Sequence, residues 1–118
     1  MPENLCDLTC TPCRGGIPPL TRAEAEAYLA QAPAWELLGD GRRIERSFKF
    51  ADFKAALAFV NRVGALAESQ GHHPDVAFGW GWVKITWWTH KIDGLHANDF
   101  IMAAKTDALV QEPISADR

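Results

Sequence analysis

The chain has 118 residues, 47% of them hydrophobic and 23% charged, which suits one globular domain and is too short for two. A chain of this size hides roughly two-thirds of the surface its unfolded form exposes, so its core requires neither disulfides nor metal, and disorder and fibrous structure are excluded. Twelve Lys and Arg against fifteen Asp and Glu give a formal charge of −3, the reverse of a nucleic-acid-binding footprint.

The longest apolar stretches, Ala55 to Val60 and Ala77 to Val83, fall far below the roughly 18 residues that cross a bilayer, so no membrane partner is expected. The start, Met1-Pro2-Glu3-Asn4, lacks the basic and apolar regions of a secretory signal, and the cytoplasm is the expected compartment. Residues 1–19 hold Cys6, Cys10 and Cys13, prolines Pro2, Pro12, Pro18 and Pro19, and the pair Gly15-Gly16, and read as an arm outside the core. Three thiols fall short of the four ligands of a structural zinc, and Cys10-Thr11-Pro12-Cys13 runs into a loop, not into the helix that would activate a redox thiol.

Residues 20–112 form the expected folded domain, with 113–118 as a polar tail. Thr21-Arg22-Ala23-Glu24 has the form of a capping box and opens a helix to about Ala30. Trp35 to Leu38, the Gly39-Asp40-Gly41 turn, and Arg42 to Phe50 read as strand, turn, strand, with Ile44, Phe48 and Phe50 on one face and Arg46 interrupting it. From Asp52 to Gln70, apolar positions 53, 56, 57, 60, 63, 64 and 67 recur at helical spacing, and Gly71 is a fitting cap. Val76 to Phe78, a Gly79-Trp80-Gly81 break and Trp82 to Thr89 predict a second hairpin with Val83, Ile85 and Trp87 inward. Asn98 is the expected cap of a last helix from Asp99 to Val110, with Phe100, Ile101, Ala104 and Ala108 toward the core. The order α-β-β-α-β-β-α implies an α+β fold, a four-stranded antiparallel sheet with three helices packed on one face.

Three histidines fall at element ends: His72 and His73 after the long helix, His90 after the long strand. Pro74 stiffens the backbone behind the pair, and Glu68, one turn before His72, can orient an imidazole. Three readings of the cluster are open. It is a plain loop, a three-histidine metal site that lacks the one-helix spacing usual for zinc, or a set of general acids and bases suited to neutral pH.

The run Glu68-Ser69-Gln70-Gly71-His72-His73-Pro74-Asp75, followed by Trp80, Thr89-His90, Gly94-Leu95 and Asp99, resembles the signature of the pterin-4a-carbinolamine dehydratases. The likeness extends over about residues 20–110 and includes Trp35, Phe48-x-Phe50-x-Asp52-Phe53 and Asn61-Arg62-Val63. It implies dehydration of a 4a-hydroxytetrahydropterin, left by an aromatic amino acid hydroxylase, to the quinonoid dihydropterin without metal or other cofactor. By position it makes His72, His73 and His90 catalytic, with Glu68, Trp35, Asp99, Pro74, Asp75 and Thr89 binding or orienting substrate. It also implies a homodimer or homotetramer and, as partners, the small-molecule pterin and a hydroxylase pathway. The same fold serves as a protein-binding module, a dimerisation cofactor or a Rubisco assembly chaperone, and action on a molybdopterin-related pterin is a further alternative. Two departures stand out: His96 replaces a small hydroxyl residue, and Trp87-Trp88 is bulkier than the family pattern, suiting core or interface packing or pterin contact.

Overall fold

Helix α1 (Arg22–Leu29) starts where the sequence signals it: Thr21 Oγ1 accepts from the Glu24 N–H, and Glu24 reaches back to the Thr21 N–H, closing the capping box. These observations come from a computed structural model that describes residues 18–111. The three cysteines and the tail lie outside the described residues. Pro19 is already tied to the fold, since a side chain on Gly94 would stand 2.5 Å from its Cβ and the Leu20 N–H donates to the Leu95 carbonyl.

Strands β1 (Glu36–Leu38) and β2 (Arg43–Lys49) form the first hairpin across a turn in which Gly39, Asp40 and Gly41 all have positive φ. Helix α2 (Phe53–Gln70) follows, capped by the Asp52 carboxylate on the Ala55 N–H and closed by Gly71 in the left-handed conformation. Strands β3 (Asp75–Gly79) and β4 (Trp82–Trp87) make the second hairpin, and the sheet order is β1-β2-β4-β3, antiparallel throughout. The helices pack on one face only, giving the expected α-β-β-α-β-β-α architecture.

Alternation along β4 buries Val83, Ile85 and Trp87 under the helices and leaves Lys84 on the open face. Each fully buried side chain of this kind contributes about 1.5–3 kcal/mol of transfer free energy. Arg46 breaks the apolar face of β2 for a visible reason. Its guanidinium pairs with Asp107 of α3 at 2.6 Å and lies over the Phe48 ring, while Asp107 also accepts from the Trp35 indole at 2.9 Å.

Two expectations need correction. The last helix, α3 (Ala97–Gln111), begins before Asn98, and His96 stands in front of it. His96 Nδ1 accepts from the Asn98 N–H at 3.0 Å, and Asp99 Oδ2 accepts from the His96 N–H at 2.9 Å. The imidazole thus fills the place of a capping hydroxyl, and Asn98 is drawn into the first turn. In α2 the buried stripe is Ala55, Ala56, Phe59, Val63 and Ala67, so Phe53 and Leu57, placed in the apolar pattern by spacing, stay exposed. Helix α3 packs against α1, α2 and β4, and therefore buries Met102, Ala103 and Thr106 besides Phe100 and Ile101, with Ala104 and Ala108 half-buried.

Candidate active site

Left-handed Gly71 turns the chain out of α2 so that His72 and His73 emerge together at the helix end. Across from them, β4 runs out at Trp87 and the chain makes a short 3₁₀ turn, His90–Ile92, tied at its base by paired hydrogen bonds between Thr89 and Gly94. Between the two lies an open pocket of ≈ 210 Å³ lined by Gly71, His72, His73, Thr89, His90 and Lys91.

Each imidazole faces a carboxylate. His72 Nε2 donates to Asp99 Oδ1 at 2.7 Å, His73 Nε2 donates to Glu68 Oε2 at 2.6 Å, and His90 Nε2 lies 4.0 Å from Asp75 Oδ1. For His72 and His73 the carboxylate fixes the proton on Nε2, which leaves Nδ1 as the nitrogen able to exchange one.

The surroundings differ sharply. Asp99 is fully buried and accepts three hydrogen bonds: from His72, from Thr89 Oγ1 at 2.8 Å and from the His96 N–H. The His72 ring is 10% exposed and stacks on buried Trp87 with centroids 5.7 Å apart and planes 8° apart. The side chains of His73 and His90 are 57% and 55% exposed.

Of the residues singled out in the sequence, the fold gathers His72, His73, His90 and Thr89 around the pocket, with Glu68, Asp99 and Asp75 behind the imidazoles. Pro74 links the His pair to β3 without lining the pocket. Trp35 is placed elsewhere: it is buried in the core, edge-on to Phe48 and bonded to Asp107. Trp80, at the tip of the second hairpin, is exposed. Lys91 was missed, although its position beside His90 was a usable signal; the stacking of Trp87 on His72 had none, because the two meet only through the packing of α2 on the sheet. Among the described residues no three His, Cys, Asp or Glu side chains are arranged to hold a metal ion, and no helix is long and apolar enough to cross a membrane.

Residues 18–109 match the family described as pterin 4 alpha carbinolamine dehydratase. The chain belongs to that family. A protein of Aromatoleum aromaticum that carries the family's name is 64% identical over 109 residues, 92% of this chain and 97% of the relative. One from Cupriavidus pinatubonensis is 62% identical over 92% of this chain and 94% of the relative. Among solved structures, a transcriptional coactivator/pterin dehydratase from Brucella melitensis superposes with a TM-score of 0.72 at 33% identity, covering 77% of this chain and 97% of that one. A pterin dehydratase-like protein identified as a RuBisCO assembly factor in the alpha-carboxysome gives 0.58 at 27% identity, covering 68% and 93%. Both of these structural relatives are thus described by a role besides dehydration, one as a transcriptional coactivator and one as an assembly factor.

Proposed function

We propose that the protein is a 4a-hydroxytetrahydrobiopterin dehydratase acting by histidine general acid–base catalysis, in the cytoplasm, in the recycling of tetrahydropterin. The observation that carries this reading is the pocket lined by three imidazoles, two of them hydrogen-bonded to a carboxylate and the third, His90, 4.0 Å from Asp75. In the reaction the C4a–O bond breaks and the oxygen takes a proton to leave as water. Ring nitrogen N5 gives up its proton and forms the C4a=N5 double bond of the quinonoid dihydropterin. No electrons are exchanged with a second reactant, so the protein's task is to deliver one proton and remove another. Two imidazoles at the rim, open to solvent, suit proton exchange between turnovers, and the buried pair His72–Asp99 supplies a fixed reference for the substrate ring.

The test is stopped-flow dehydration of freshly generated 4a-hydroxytetrahydropterin. The wild-type protein is expected to accelerate it and His73→Ala to lose at least ~10²-fold, the low end for one acid–base group. A folded wild-type protein that gives no acceleration would sink the reading and leave a different pterin, or a protein partner, as the ligand.

Homo-oligomer formation belongs to the same proposal. Strand β3 is a sheet edge, and Val76 on it and Phe53 and Leu57 on the adjoining α2 are exposed apolar residues on the same side of the molecule. A second copy pairing along β3 would satisfy the strand edge and cover these side chains together. Light scattering is expected to give a multiple of 13.0 kDa, and Leu57→Glu to reduce it.

A further inference from the structure

Trp88 is the bulky residue for which the fold and the pocket leave no evident use. Its contacts with Arg43 and Asp75 put its ring on the sheet face away from the described helices, where it is half-buried beside the core and does not line the pocket. Three neighbouring side chains engage it. The Arg43 guanidinium, on neighbouring β2, sits 4.0 Å from its ring centroid. Its indole N–H donates to Asp75 Oδ2 on β3 at 2.9 Å. The imidazole of His90, two residues on, lies against it with centroids 3.9 Å apart and planes 52° apart.

His90 needs such support more than the other two histidines. Its side chain is 55% exposed, it sits on a three-residue turn, and its carboxylate neighbour Asp75 is 4.0 Å away, beyond hydrogen-bond reach. An imidazole so placed would otherwise sample its staggered rotamers, and only some of them point into the pocket. We propose that Trp88, itself held by Arg43 and Asp75, is a positioning residue that fixes the His90 ring at the pocket wall. The indole blocks the rotamers that lead away from the pocket. Its N–H also orients Asp75, so that the second carboxylate oxygen faces His90 Nε2. The charged and titratable groups around His90 are then Asp75 on β3, Arg43 on β2 through the indole, Lys91 beside it, and His72 and His73 across the pocket. The effect on rate rests on the dehydratase reading; the contact itself does not.

The experiment has two arms on the full-length protein. In the first, the ring-proton resonances of His90, identified by their loss in His90→Gln, are recorded by NMR for wild type, Trp88→Phe and Trp88→Ala. The aromatic ring is expected to displace them upfield in wild type, Trp88→Phe to keep part of the displacement, and Trp88→Ala to abolish it. Resonances unmoved by either substitution would overturn the proposal whatever the activity. In the second arm, Trp88→Ala is expected to lower kcat by about 10- to 100-fold with little change in KM, the scale of a misplaced catalytic group. Trp88→Phe should recover most of that loss. On a His90→Ala background Trp88→Ala should cost nothing further; independent, multiplying losses would show that Trp88 acts elsewhere and overturn the proposal. Should Trp88→Ala unfold, Trp88→Phe alone decides, since the residual displacement and the background test apply to it equally. If the wild type shows no dehydration, the dehydratase reading fails while the NMR arm still judges the positioning.

Discussion

The two sides of the pocket are built on opposite plans. On one, His72 is nearly buried, clamped between Trp87 and an Asp99 that has no exposed surface and three donors. On the other, His73 and His90 are more than half exposed and lean on exposed carboxylates. A hydrogen-bonded charge buried by the core is costly to disturb, whereas an exposed ion pair is screened by water and contributes little to stability. The same kind of pair is therefore structural on one side of the pocket and nearly free of structural cost on the other.

Removing the buried anchor should have the largest effect. Asp99→Ala strips the acceptor from His72, Thr89 and the His96 N–H at once, and an unsatisfied buried group costs about 1–3 kcal/mol. Urea denaturation is expected to show a loss at or above the top of that range, together with loss of dehydration; a variant as stable as wild type would erase the distinction between the two sides. His96 gives an intermediate and sharper test, because its cap shares Asp99 with the His72 anchor. His96→Ala should cost about 1 kcal/mol in thermal or urea unfolding, as other lost caps do, and His96→Ser should restore most of it. The smallest stability effect belongs to the exposed side. Glu68→Gln breaks a pair whose side chains are 57% and 80% exposed, so unfolding should shift by less than about 1 kcal/mol, while dehydration slows because the His73 tautomer is no longer fixed. A stability loss equal to that of Asp99→Ala would refute the comparison.

The elements were legible because their signals are local. Thr21 and Glu24 are three residues apart, Asp52 and Gly71 bracket one apolar period, and alternation along 83–88 assigns each face of β4. The misplaced cap of α3 shows the limit of that kind of reading. Asn98 is a better cap by residue type than His96, but Asp99 accepts from the His96 N–H, and that bond goes with a helix start two residues before Asp99 itself. Likewise Phe53 and Leu57 fit the helical period of α2, yet the described residues leave both exposed, Phe53 touching the Phe78 ring at its side.

The order of elements, the candidate histidines and the family resemblance all reside in short-range pattern and spacing, and were readable before any folding was considered. Packing decided how His72 and His90 are held, whereas the Glu68 partner of His73 is only five positions away and was legible in the sequence. The partners that set those states, Asp99 for His72 across 27 positions and Asp75 for Trp88 across 13, lie on different elements, and only packing brings them within bonding distance. Burial then separates them, because the same carboxylate–imidazole contact is rigid where the core excludes water and loose where it does not.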